Sequence, residues 1–176
     1  AARLMEDLRQ IYPDGRFFGM GGRNLRAGGM EMCVDIERTG TVMGFTEILG
    51  GLKGIWLSWK TMTGLLAERR PDLLVIINYS EFNLRLARSA RKLGVKVLFY
   101  IPPQVWAWRP GRVKEIDRVC DLVATIFPFE KAFYAARGCN KVCSVGHPFV
   151  THFEKHRISG EEREQIRSRL GVEAGR

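Results

Sequence analysis

The chain has 176 residues, 45% of them apolar and 27% charged, with a formal net charge of +9. That is enough for one globular domain with a real core, and no apolar run reaches the roughly 20 residues of a membrane-spanning helix. The positive balance favours anionic partners such as acidic headgroups or phosphorylated substrates. The basic residues are spread along the chain rather than grouped, which argues against nucleic acid.

Apolar positions Leu4, Leu8 and Ile11 predict a first helix, and Pro13-Asp14-Gly15 a turn. No signal peptide is visible, and the lack of an initiator methionine predicts that the natural start lies upstream. Arg16 to Met20 reads as a short strand ending at Gly21-Gly22. In Thr41 to Arg69, the residues Phe45, Ile48, Leu49, Leu52, Ile55, Trp56, Trp59 and Met62 follow a spacing of three and four and share one predicted face. Gly44, Gly50, Gly51, Gly54 and Gly64 interrupt the segment, each costing roughly 1 kcal/mol against alanine in a helix, so one or two short adaptable helices are expected. They either pack on a sheet or meet lipid with tryptophans at interface depth.

Leu73 to Ile77 is a continuous apolar run, as in a parallel strand buried on both faces. A helix is expected over Phe82 to Leu93 and a strand over Val95 to Ile101. A helical turn or two follows over Val113 to Arg118, then a strand from Leu122 to Phe127. Phe129 to Arg137 reads as a helix, Lys141 to Val145 as a strand and Glu161 to Leu170 as a helical run. This alternation predicts an α/β fold, a Rossmann-like parallel sheet with crossover helices, in which ligands bind beyond the carboxyl ends of the strands.

Asn78, the loop from Pro102 to Arg112, Phe127-Pro128 and Gly146-His147 all fall at such ends. The loop carries Trp106, Trp108, Arg109 and Arg112 behind two prolines. Tryptophan offers a face for a sugar ring, and arginine a planar fork for phosphate or carboxylate. Gln104 is a further hydrogen-bonding candidate. Cys33, Cys120, Cys139 and Cys143 form no Cys-x-x-Cys pair and read as reduced thiols in a cytosolic protein. His147, His152 and His156 lie close together, but nothing completes a metal-ligand set, so no metal and no cofactor are expected.

Several motifs resemble those of the lipid A disaccharide synthases. They are Gly19-Met20-Gly21-Gly22, Val42-Met43-Gly44 with Glu47-Ile48-Leu49, and Glu81-Phe82-Asn83-Leu84-Arg85-Leu86-Ala87. Tyr100 to Arg109, Phe127-Pro128-Phe129-Glu130 with Phe133-Tyr134, and Val145-Gly146-His147-Pro148 follow. They stand in the family's order and span nearly the whole chain. The resemblance implies the N-terminal, acceptor-side domain of a GT-B glycosyltransferase. Such an enzyme joins UDP-2,3-diacylglucosamine to 2,3-diacylglucosamine 1-phosphate, giving lipid A disaccharide 1-phosphate and UDP, as a peripheral cytoplasmic enzyme on the anionic inner-membrane surface. Residues 1–156 are then the acceptor-side domain without its first strand, and residues 157–176 a linker toward an absent UDP-sugar domain.

In that setting Asn78, Glu81, Glu130 and His147 are the catalytic candidates. Gln104, Trp106, Trp108, Arg109 and Arg112 are candidates for sugar phosphate. Val42, Met43, Phe45, Ile48, Leu49, Leu52, Ile55 and Trp56 would meet acyl chains or membrane. Three departures stand out: the family's first strand with its Gly-Glu-x-Ser-Gly-Asp loop is absent, the donor domain is absent, and Asn78 and Ser80 replace the usual aspartate and proline. Inverting sugar transfer needs a base for the attacking hydroxyl, and an asparagine amide cannot accept that proton at neutral pH. Glu81, three residues on, is a possible substitute. The alternative is a non-catalytic lipid- or sugar-binding remnant of the same fold; with the donor half restored, it would bind lipid without turnover.

Overall fold

The computed structural model describes residues 1–37, 48–78, 80–150 and 159–172, with only the backbone given for residues 48–53 and 80. Val42, Met43, Phe45, His152 and His156 lie outside the described residues, and the side chains of Ile48, Leu49 and Leu52 are likewise not described. The elements in chain order are α1 (Ala2–Ile11), β1 (Phe18–Gly21), α2 (Arg23–Ala27), β2 (Glu31–Asp35) and α3 (Ile48–Arg69). Then come β3 (Leu73–Ile77), α4 (Ser80–Lys92), β4 (Lys96–Tyr100), α5 (Val105–Trp108), a 3-10 turn (Pro110–Arg112) and α6 (Val113–Val119). The last are β5 (Leu122–Thr125), α7 (Pro128–Ala135), β6 (Val142–Ser144) and α8 (Gly160–Arg169).

Every strand pairing among the described residues is parallel. β1 pairs with β2, and β3, β4, β5 and β6 form a four-stranded sheet in that order. The strand–helix–strand alternation read from the sequence therefore builds an α/β fold of the Rossmann-like kind. Strand β4 gains burial by alternation: Val97 and Phe99 are fully buried, whereas Lys96 is exposed. In α6 the buried Val113, Ile116 and Val119 recur every three residues, the stripe a helix needs to lie on a sheet. Gly94, with φ of 78°, ends α4 in the left-handed region that admits glycine without strain, and Val95 N–H then bonds Ala90 O at 3.0 Å.

Three expectations are corrected. Leu73 to Ile77 forms β3, but only Ile76 is buried and Leu73 is exposed, so the strand is covered less than its apolar run suggests. The segment after residue 47 is one continuous helix of 22 residues rather than one or two short pieces. Burial of Met62 and Leu66 against Val34 of β2 and the residues of α4 offsets the helix cost of its glycines. Of the residues expected on one face, the four with described side chains do not share it: Met62 is buried and Trp56 is exposed. Ser58, Met62 and Leu66 point inward, Ile55 and Trp59 sit at the border, and Trp56 and Leu57 are exposed at 61% and 58%.

Candidate active site

The site grows from the carboxyl ends of β3 to β6. Register pairs Ile77 with Tyr100, so the chain leaves β3 and β4 side by side at Asn78 and Ile101. Asn78 has φ of 53° and is exposed. Behind it the buried Asn83 donates from Nδ2 to Ile77 O at 3.0 Å and to Asn78 O at 2.8 Å. One side-chain amide thus satisfies two carbonyls at the point where the strand ends, fixing the backbone that carries Asn78.

Glu81, in the first turn of α4, accepts from two arginines brought by the segment after β4. Arg109 Nη1 lies 3.1 Å from Glu81 Oε1, and Arg112 Nη2 bonds the same oxygen. The Arg112 guanidinium, followed by that of Arg109, holds the Glu81 carboxyl below its ordinary pKa. Such a carboxylate is a poor proton acceptor while both partners stay in place. Arg109 lies 4.9 Å from the centroid of the exposed Trp108 ring, a cation–π contact. Arg112 approaches Glu115 at 3.9 Å, and Glu115 also pairs with Arg88. Arg109, Gly111, Arg112 and Glu115 line a shallow open depression.

The two tryptophans of α5 divide. Trp108 faces solvent, while Trp106 is half-buried and donates from Nε1 to Glu130 Oε1 at 3.2 Å. Glu130 is 1% exposed, and its second oxygen accepts from Phe127 N–H at 2.9 Å. It thereby closes the N-terminus of α7, where Pro128 opens the helix. Its place is beneath the surface, with both oxygens engaged. Around it Trp106 meets the exposed Phe129 edge-on at 5.1 Å, and Phe129 stacks with Phe127 at 5.6 Å. His147 reaches this row at 6.4 Å from Phe127, and its Nδ1 accepts from Phe149 N–H at 3.2 Å. Gly146, with φ of 76°, provides the left-handed turn that leads from β6 to His147. Gln104 is exposed, and its backbone carbonyl accepts from Ala107 N–H at 3.0 Å.

Glu81, Arg109 and Arg112 thus form one cluster, and Trp106, Glu130 and His147 belong to another built on Phe127 and Phe129. Asn83 and Phe129 are the residues to which sequence reasoning gave no role in the site, whereas Phe127 was already placed at a strand end. Asn83 was named only as part of the motif from Glu81 to Ala87; a polar residue among the apolar positions of α4 is the signal that calls for a buried partner.

A parallel α/β sheet with crossover helices defines the class as a Rossmann-like fold, one in which ligands characteristically bind at the carboxyl edge, and comparison with known proteins narrows it. The sequence profile of the lipid-A-disaccharide synthetases matches residues 1–170, and the chain belongs to that family. It is 44% identical over 162 residues to a lipid-A-disaccharide synthase of Nitrosococcus oceani, covering 92% of this chain and 41% of that protein. To the enzyme so named in Geobacter metallireducens it is 44% identical over 149 residues, covering 85% of this chain and 38% of that protein. To lipid-A-disaccharide synthase 1 of Legionella pneumophila (strain Lens) it is 40% identical over 173 residues, covering 98% and 44%. The chain therefore spans about two fifths of the length of the curated relatives it matches. No helix among the described residues is long and apolar enough to cross a membrane.

Proposed function

We propose that this chain is the acceptor-side part of a glycosyltransferase that joins UDP-2,3-diacylglucosamine to 2,3-diacylglucosamine 1-phosphate, with lipid A disaccharide 1-phosphate and UDP as products. The observation that carries this reading is the meeting of Arg109 and Arg112 at the ends of β3 and β4, in a chain of this family. Two guanidiniums held on one carboxylate oxygen are spaced to share one phosphate instead. Trp108 or the Trp106 edge offers a stacking surface for the sugar, and Gln104 a hydrogen-bonding amide beside it. Asn78 orients the attacking hydroxyl, His147 beside Phe127 is a further catalytic candidate, and Glu130 acts through Trp106 as a positioning residue. The apolar residues of 42–56 receive acyl chains, and exposed Trp56 with the net positive charge favours an anionic inner-membrane surface on the cytoplasmic side. Residues 1–156 are the acceptor-side domain, and 157–176 lead toward a UDP-sugar domain.

Binding of 2,3-diacylglucosamine 1-phosphate to the 176-residue chain tests the reading. The parent binds, and Arg112→Ala loses most of that affinity; equal binding by both would remove the arginine site. Asn78 favours a second reading, a binding remnant without turnover, because its amide cannot take a proton. A chimera carrying the C-terminal part of the Nitrosococcus relative separates the two. Disaccharide formation, raised by Asn78→Asp, supports the transferase, and binding with no product in either form supports the remnant.

A further inference from the structure

The cation site described above is already neutralised from within. Arg109 and Arg112 both point at one oxygen of Glu81, although Glu115 stands closer in sequence to Arg112. Glu115 is engaged with Arg88, which leaves Glu81 as the carboxylate shared by the two arginines. The partners differ in freedom. The Arg112 side chain is 15% exposed, whereas that of Glu81 is 66% exposed at the first turn of α4. Arg109 is steadied by the Trp108 ring. The Arg112 guanidinium is therefore the fixed part of the site, the Arg109 side chain is 51% exposed against the Trp108 ring, and the Glu81 carboxylate is the part freest to swing into water. An exposed ion pair is also weak, so an incoming dianion that meets both forks can displace it.

We propose that Glu81 is an internal counter-ion that holds the place of the acceptor's phosphate on Arg109 and Arg112 and leaves when that phosphate arrives. This deepens the reading above and rests on it. No bond is made or broken; a dianionic phosphate replaces a monoanionic carboxylate as the partner of two cations. The exchange frees the Glu81 carboxylate at the strand ends, three residues beyond Asn78, only when the acceptor is present. An empty site keeps its arginines paired and discriminates against weaker anions such as carboxylates and chloride, which must compete with Glu81 at its own location.

Calorimetric titration of the 176-residue chain with inorganic phosphate and with glucosamine 1-phosphate, at fixed ionic strength, tests this. The parent binds both, Arg112→Ala binds neither, and Glu81→Gln binds both about fivefold more tightly, the order of magnitude of an exposed pair's coupling. Glu81→Ala repeats the comparison with no side-chain amide, and thermal unfolding of each variant confirms that it is folded. Binding to vesicles of phosphatidylglycerol is unchanged by Glu81→Gln if the phosphate is that of a sugar; tightening on vesicles alone would overturn the assignment. Parent and Glu81 variants of equal affinity, with Arg112→Ala still losing binding, would overturn the counter-ion role and leave the phosphate site standing. No binding by parent or by either Glu81 variant would overturn both.

Discussion

Asn78 and Ile101 are each the first residue beyond the Ile77–Tyr100 register pair, and both have a left-handed backbone, with φ of 53° and 57°. Asparagine accepts that conformation, but a β-branched residue seldom does, and Ile101 also precedes Pro102. Ile101 is held there by its N–H bond to Ala124 O at 2.9 Å and by the buried Pro102. Two adjacent strands thus end in uncommon turns where the candidate site begins, as strained backbone at binding sites often does.

Asn78→Val therefore costs about 1–3 kcal/mol of stability, because it places a second β-branched side chain in the left-handed region. Asn78→Asp stays within about 0.5 kcal/mol, since aspartate also tolerates that region. Urea unfolding of the three proteins measures both differences. Equal stability of the valine variant would mean that the turn at residue 78 has an extended alternative.

Glu130→Gln is expected to destabilise by about 1–3 kcal/mol. The carboxylate accepts from both Trp106 Nε1 and Phe127 N–H, while a glutamine amide turns an N–H₂ toward one of these donors and leaves it unsatisfied in a buried place. Trp106→Phe removes one donor and keeps an aromatic ring, so a double-mutant cycle isolates the bond. A coupling near zero would mean that the indole does not depend on Glu130.

Much of this arrangement was legible in the sequence. The β3 run from Leu73 to Ile77 coincides with the strand, and helices α4, α6 and α7 lie within a few residues of their apolar stripes. The strand β2 and the short helix α2 were not read: Glu31 to Asp35 mixes charged and apolar residues, and Arg23 to Ala27 is only five residues long. The continuity of α3 was hidden because glycine propensity is local, while the packing of Met62 and Leu66 is tertiary. The site residues could be ranked by position at strand ends, but not partnered. That Glu81 binds arginines, and that Glu130 turns inward to Trp106, depends on helix placement that spacing does not encode.

Acid should weaken the fold through Asp121. Partial burial pushes its pKa up, but the Val97 N–H at 2.9 Å and the Lys96 ammonium at 3.3 Å more than offset this, so the net shift is downward. A carboxyl with a lowered folded pKa contributes stability that is fully present above its unfolded value near 4, and that is lost as pH falls through the folded value. Asp121→Asn removes that contribution at neutral pH, at about 1 kcal/mol, and flattens the acid limb. Thermal midpoints measured from pH 7 to pH 3 compare the two slopes; parallel slopes would assign the acid sensitivity to other carboxylates.

Arg70 follows α3 with φ of 40°, its N–H bonded to Leu66 O at 3.1 Å and its side chain exposed. This is the left-handed position after a helix that glycine fills most easily, and Pro71 prevents continuation. Arg70→Gly is expected to raise stability by roughly 0.5–1 kcal/mol, the usual scale for relieving a side chain at positive φ. Denaturant midpoints of the pair measure it, and a lower midpoint would mean that the arginine side chain contributes more than the strain costs.

The outer side of α3 gives the last expectation. Trp56 and Leu57 are exposed, and Lys60 Nζ lies 5.4 Å from the Trp56 ring centroid, so an apolar surface and a cation stand together on one turn. On the proposed membrane reading, an interface between water and acyl chains would accept both, the indole at the headgroup boundary and the ammonium against anionic headgroups. Trp56→Ser with Leu57→Ser should weaken binding to phosphatidylglycerol vesicles by about tenfold or more, since each large apolar side chain returned to water costs about 1.5–3 kcal/mol when fully buried. Lys60→Gln should weaken it less and reduce its dependence on salt, because only the screened attraction is lost. Co-sedimentation with anionic and zwitterionic vesicles reads both effects. If the serine pair binds as well as the parent, α3 does not meet the membrane through this side, and its exposed tryptophan belongs to a protein contact instead.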